Sequence, residues 1–106
     1  MIADFFKMMA MNGKAKSIYK LAKEGDPMSQ NSLGDCYLNG DGVSKDSNEA
    51  FSWYLKAAQQ GNSTAQYSLG LCFEKGVGVT KNQTSAAEWY QKAANQGQAV
   101  AHCNRG

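Results

Sequence analysis

Apolar residues along this chain recur at helical spacing. Ala65, Leu69, Cys72 and Phe73 fall on one face of a helix turning every 3.6 residues, and Ala50, Trp53, Tyr54, Ala57 and Ala58 make a second such stripe. Ile2, Phe5, Phe6 and Met9 follow i, i+3, i+4, i+7, the spacing of an amphipathic helix. Helices are therefore predicted near residues 2–11, 14–24, 28–39, 47–60, 64–75 and 83–96. Breakers separate them. Asn12-Gly13 turns the chain after the first, Gly40-x-Gly42 and Gly76-x-Gly78 supply tight loops, and Gly61 and Gly97 are expected as left-handed stops. Asp26 before Pro27, Asp46 and Asn82 are suited to cap free backbone N–H groups. Glu49, three residues after Asp46, would complete a capping box.

The pattern repeats with a period of 36 residues. Leu33-Gly34-Asp35-Cys36-Tyr37 aligns with Leu69-Gly70-Leu71-Cys72-Phe73, and Gly40-Asp41-Gly42-Val43 with Gly76-Val77-Gly78-Val79. Lys45, Ala50, Trp53-Tyr54, Lys56-Ala57-Ala58 and Gln60-Gly61 align with Lys81, Ala86, Trp89-Tyr90, Lys92-Ala93-Ala94 and Gln96-Gly97, without a gap. Subtracting the period from Tyr54, Ala58 and Gly61 reaches Ile18, Ala22 and Gly25, while adding it to Ala65 and Gly70 reaches Ala101 and Gly106. Each unit reads as a helical hairpin that cannot bury both its faces alone and is stabilised by stacking on its neighbours.

The shared residues, Ala-x-x-x-Leu-Gly-x-x-(Tyr/Phe)-x-x-Gly-x-Gly-Val-x-x-(Asp/Asn)-x-x-x-Ala-x-x-Trp-Tyr-x-Lys-Ala-Ala-x-x-Gly, resemble the Sel-1-like repeat, a relative of the tetratricopeptide repeat, over about residues 14–106. Ser29 stands for the first alanine of one unit, Arg105 occupies a position where the family pattern has leucine, and residues 1–13 do not match. The resemblance implies an all-α fold, a right-handed α-solenoid of antiparallel helix hairpins. The expected organisation is a capping helix over residues 1–13, the second helix of a partial repeat over 14–28, repeats over 29–64 and 65–100, and a truncated start over 101–106. Helix 2–11 is expected to cover the apolar end of helix 14–24. Met8, Met9 and Met11 as an adaptable binding surface is the other reading. Gly34, Gly70 and the alanine pairs are expected to let adjacent helices approach closely.

Length and composition narrow the function. A chain of 106 residues is one domain, and 42% hydrophobic with 19% charged residues is too apolar for disorder. The net charge is +2 with no run of Lys or Arg, so no electrostatic footprint for nucleic acid exists. No stretch has the roughly 18 apolar residues of a membrane helix. Asp4 and Lys7 interrupt the N-terminal apolar stretch, which does not read as a signal peptide. The expected location is the cytoplasm.

Little in the chain points to catalysis. Cys36 and Cys72 are equivalent positions on stacked hairpins, about 8–10 Å apart by helix packing and beyond disulfide reach, and read as small buried thiols. Secreted proteins of the resembling family can pair cysteines inside each repeat, but the matching alanines here are not cysteine. Cys103 beside the single histidine, His102, gives too little material for a zinc site or a Cys-His nucleophile. The Gly-x-Gly pairs lack the remaining features of a phosphate loop, and the Trp-Tyr pairs read as core rather than as base-stacking platforms. Asn62-Ser63-Thr64 and Asn82-Gln83-Thr84 read as helix starts rather than glycosylation sites.

Surface chemistry remains. Tyr67, Leu71 and Glu74 share the face opposite Ala65, Leu69 and Cys72, and their counterparts one unit earlier are Asn31, Asp35 and Leu38. The resemblance implies that this face lines a concave groove for a peptide. A non-enzymatic adaptor or scaffold is expected, with Tyr67 and Leu71 as anchors, Asp35, Glu74 and Lys75 giving polarity, and a protein or peptide as partner. No cofactor, metal, membrane or nucleic acid is expected. Two alternatives are a structural piece that self-associates through an open C-terminal end at Val100, Ala101 and Cys103, and a small hydrolase of the secreted bacterial repeat type.

Overall fold

The computed structural model describes the backbone of residues 2–105 and the side chains of residues 6–96. The described chain is helical throughout: α1 (Ile2–Met9), α2 (Gly13–Lys23), α3 (Pro27–Asn39), α4 (Ser47–Gln59), α5 (Ser63–Lys75) and α6 (Gln83–Arg105). The helices start where short polar side chains can cap them. Asn12, Asp26, Asn62 and Asn82 each accept a hydrogen bond from the backbone N–H three residues on, at 2.8–3.0 Å. Asp46 takes two, from Asn48 and Glu49. The reciprocal half of the expected capping box is missing. The Asp46 N–H already donates to the Tyr37 carbonyl at 2.9 Å, and the Glu49 carboxylate pairs with Lys7 Nζ at 3.1 Å instead. Gly40 and Gly76 end α3 and α5 with φ of 70° and 71°, a left-handed conformation costly to any residue with a Cβ.

Gly97 does not stop its helix as Gly61 does; α6 runs through it to Arg105. The reason lies one residue further on. Gly25 and Gly61 are followed by Asp26 and Asn62, which cap the next helix, whereas Gly97 is followed by Gln98. Glutamine carries an extra methylene and is a poor cap. With no new helix to initiate, the cost of about 1 kcal/mol for a helical glycine is offset by continued backbone hydrogen bonds. The side chains of Val100, Ala101, His102, Cys103 and Arg105 lie outside the described residues.

Packing is sequential: α2 on α3, α3 on α4, α4 on α5 and α5 on α6. A solenoid needs no longer-range order than this. Leu33, Leu69, Ala50, Ala57 and Ala65 have no exposed surface, and Tyr54 is fully buried beside them. Trp53 is buried in this core and Trp89 packs against it, and each carries a lysine from the next turn over its ring, Lys56 on Trp53 at 4.2 Å and Lys92 on Trp89 at 4.4 Å.

Gly34 and Gly70 do more than bring helices together. A Cβ at Gly34 would lie 2.6 Å from the Tyr54 ring, and one at Gly70 would collide with Tyr90. Each glycine is the seat of a tyrosine ring. Two glutamines then tie each hairpin together and to the helix before it. Gln30 Nε2 donates to the Ala22 carbonyl at 3.1 Å and its Oε1 accepts from Gln60 at 2.7 Å. Gln66 repeats this with Ala58 and Gln96, at 3.3 and 2.8 Å.

Helix α1 forms, but with a different face inward. Phe6 and Met9 are 63% and 62% exposed, while Met8 and Met11 pack on the core. The Lys7–Glu49 pair and the bond from Asn12 N–H to the Gly42 carbonyl (3.0 Å) hold this segment against the first turn of α4 and the loop before it. The inward face is thereby rotated from the one the spacing predicts. The side chains of Ile2 and Phe5 lie outside the described residues.

The glycine seats make a checkable demand. Replacing Gly34 with alanine should lower the urea-unfolding stability by roughly 1–3 kcal/mol despite alanine's better helix propensity, because the buried ring has nowhere to go. Tyr54→Leu in the Gly34→Ala background should recover part of that loss, a non-additivity that circular dichroism melts in a double-mutant cycle would measure.

Candidate functional site

Burying Ala65, Leu69 and Cys72 turns Tyr67, Leu71 and Glu74 to the opposite side of α5, and burying Leu33, Cys36 and Tyr37 does the same for Asp35 and Leu38 on α3. Two adjoining cavities open on this side. One, of about 320 Å³, is lined by Asp35, Leu38, Tyr54, Ser68, Leu71, Cys72, Lys75 and Val77. The other, of about 620 Å³, is lined by Tyr67, Leu71, Glu74, Tyr90, Ala93 and Ala94. Leu71 forms a wall of both. A third hollow, of about 260 Å³, continues from Asp35 toward Lys14, Ile18 and Asp41. Asp35, Leu38, Tyr67, Leu71, Glu74 and Lys75 thus come together along one groove. Asn31 lines none of these cavities; its side-chain oxygen is buried and accepts no hydrogen bond from the described residues.

The two units present acid and leucine in opposite order. Asp35 holds the position of Leu71, and Leu38 that of Glu74. Each acid is held by a tyrosine from the second helix of its own hairpin. The Tyr54 hydroxyl donates to Asp35, and the Tyr90 hydroxyl donates to Glu74 Oε1 at 3.3 Å. Tyr90 also meets Tyr67 with ring centroids 5.3 Å apart and planes tilted by 45°. By analogy with Tyr54, the sequence places Tyr90 in the core. It is half-buried instead, because among the described residues no further helix packs on α6 as α5 packs on α4. Ala94 is exposed for the same reason, where Ala58 is 2% exposed.

The phenols and thiols beside the groove stay protonated near neutrality. Burial first, and then the Asp35 carboxylate, push the Tyr54 phenol well above its usual range. Burial and then Glu74 raise that of Tyr90. Burial pushes the Cys72 thiol up to about 11 and also raises that of Cys36, helped there by Asp41. These groups can donate hydrogen bonds, but neither thiol has the lowered pKa of a nucleophile. Both remain free and buried. Among the described residues no three His, Cys, Asp or Glu side chains converge as a metal site. The exposed Lys14–Asp41 pair, at 3.7 Å, adds little energy.

The shielded thiols give two measurements. In the folded chain at pH 8, Cys36 and Cys72 should react with Ellman's reagent at least about 100-fold more slowly than in urea, since reaction needs an exposed thiolate. The Cys72 pKa rises on folding from 9.0 to about 11, so the unfolded chain loses that proton first. Stability should therefore be insensitive to this group below pH 9 and fall as pH rises from 9 to 11, in urea titrations at each pH.

The groove can be set against known proteins. The family model described as Sel1 repeat matches residues 27–62 and 63–98. Each unit begins two residues earlier than the repeat boundaries at 29 and 65, with the same period. Among solved structures, a Sel1 repeat protein from Oxalobacter formigenes is 38% identical over 77% of this chain, with a TM-score of 0.77. The protective antigen c5321 of uropathogenic Escherichia coli, which displays an SLR fold, is 41% identical over 78%, with a TM-score of 0.75. Cysteine rich protein B of Helicobacter pylori is 30% identical over 76%, with a TM-score of 0.73. The matches span 63%, 18% and 61% of those chains, respectively. No curated protein matches.

Proposed function

Because the chain belongs to the Sel1 repeat family, whose repeats generally mediate protein interactions, we propose that it is a non-enzymatic adaptor or scaffold module holding a peptide or protein segment along the α3/α5 groove. The observation that carries this is the pair of cavities sharing Leu71. Together they offer apolar walls from Leu38, Leu71 and Val77, flanked by Asp35, Glu74 and Lys75. A few polar groups placed around an apolar slot are what a peptide anchor needs. Tyr67, 54% exposed, and Leu71 are the proposed anchors, and Asp35, Glu74 and Lys75 set polarity. Asn31, one turn before Asp35, is proposed as the edge of the surface.

No helix among the described residues is long and apolar enough to cross a membrane. The proposed location is the cytoplasm, where buried free thiols such as Cys36 and Cys72 persist. A second reading rests on α6. Ala93 and Ala94 are less covered than their buried counterparts Ala57 and Ala58, so a further repeat or a second copy of the chain could stack there. Molecular mass that grows with concentration in sedimentation equilibrium would favour that reading.

A displayed library of random 12-residue peptides, panned against the wild-type chain, tests the groove. Enriched peptides should bind the Tyr67→Ala/Leu71→Asp variant at least about tenfold more weakly, the loss expected for two interface anchors of 1 kcal/mol or more each. Circular dichroism should show the two proteins equally helical. Peptides that bind both equally would place recognition on another surface.

A further inference from the structure

Tyr67, Glu74 and Tyr90 stand together at one end of the groove, and their chemistry is that of a cation site. The rings of Tyr67 and Tyr90 are inclined to each other at 5.3 Å, with the Glu74 carboxylate 3.3 Å from the Tyr90 hydroxyl. All three line the same open cavity, whose remaining walls are Leu71, Ala93 and Ala94. An aromatic face attracts a cation through its quadrupole, and a nearby carboxylate adds direct charge attraction. The aliphatic walls suit a methylene stem rather than a compact ion. Three other rings carry one of the protein's own lysines, Tyr19 with Lys23, Trp53 with Lys56 and Trp89 with Lys92. Among the described residues, no such lysine lies over Tyr67 or Tyr90.

The first unit shows why the site occurs in one copy. Asn31 stands where Tyr67 does, Leu38 where Glu74 does, and Tyr54, the counterpart of Tyr90, is buried under α5 with its hydroxyl on Asp35. Aromatic partner, carboxylate and access are therefore combined only in the second unit of the described chain.

We propose that Tyr67, Tyr90 and Glu74 form an alkylammonium subsite that receives the side chain of a lysine on the bound segment, its stem along Leu71, Ala93 and Ala94. This rests on the groove reading and adds the chemistry of one partner residue. A lysine and its methylated form share this chemistry and differ in what they favour. An unmodified ammonium donates hydrogen bonds to Glu74, whereas a trimethylated one relies on the ring faces.

The test uses the whole chain and three small probes: Nα-acetyl-lysine methylamide, its Nε-trimethyl form, and the norleucine counterpart, which has the same stem without the ammonium. Aromatic NMR shifts of Tyr67 and Tyr90 are followed during titration. Either cationic probe should shift both rings and bind at least about fivefold more tightly than the norleucine probe. Glu74→Gln and Tyr67→Ala should each weaken the lysine probe by roughly three- to fivefold while leaving the norleucine probe unchanged. Tyr67→Leu serves as the second variant if the alanine change disturbs the fold. Tighter binding of the unmodified lysine would assign the recognition mainly to Glu74, and tighter binding of the trimethylated form mainly to the rings; both support the subsite. Equal binding of norleucine and lysine would overturn it and leave an apolar slot, with the groove intact. Rings that respond to none of the probes would also overturn it, while the peptide library decides the groove independently.

Discussion

Tyr54 fills the space that a side chain at Gly34 would need, and Tyr90 fills the corresponding space at Gly70. The contact joins the two helices of a hairpin at the closest approach a side chain and backbone can make. It sets how deep the ring lies and hence where its hydroxyl emerges. In both hairpins that hydroxyl reaches a carboxylate on the first helix. The core is thereby coupled to the groove. A packing constraint inside the protein decides where the acids on its surface are held, and the alanines and leucines around it need only fill volume.

From this scaffold the groove gains its asymmetry by exchange. Equivalent positions carry Asp35 and Leu71, and Leu38 and Glu74, so acids and apolar side chains alternate between the two units along one surface. Rigid helices hold these groups, and side chains already positioned lose less entropy when a partner binds. The second tyrosine differs from the first in what covers it as well as in the acid it meets. Tyr54 lies beneath α5, whereas Tyr90 borders a cavity and contacts Tyr67. One sequence position is thus core in one unit and wall in the next.

What was legible in the sequence follows from the range of each interaction. Caps at Asp26, Asp46 and Asn82, the stop at Gly61 and the 36-residue period depend on residues within one turn or on direct comparison of units, and all can be read from spacing. The groove face was legible for the same reason, since Tyr67, Leu71 and Glu74 lie on one helix. Features set by other elements were not. The glutamine bridges join residues 30 apart, and nothing local to Gln30 or Gln66 announces them. The inward face of α1 depends on Lys7 reaching Glu49 across the fold. The exposure of Tyr90 depends on what packs against α6. Gly97 is a different case. A glycine at this place in the repeat stops a helix only where a capping residue follows it, and Gln98 is not one.

The same packing also sets the protonation of the phenols and thiols at this surface. A nucleophile or general base needs a group whose pKa is drawn toward neutrality. Here burial, joined at the two tyrosines by neighbouring carboxylates, acts in the opposite direction, keeping Tyr54, Tyr90 and Cys72 protonated. Protonated phenols are good hydrogen-bond donors, and these donate to the acids that shape the groove. The arrangement orients charge and leaves it available. Glu74 keeps one carboxylate oxygen beyond its bond to Tyr90, in a cavity that two tyrosines and an aliphatic wall also line. On the proposed reading, such a surface discriminates among partners by placing unlike chemistries at fixed separations.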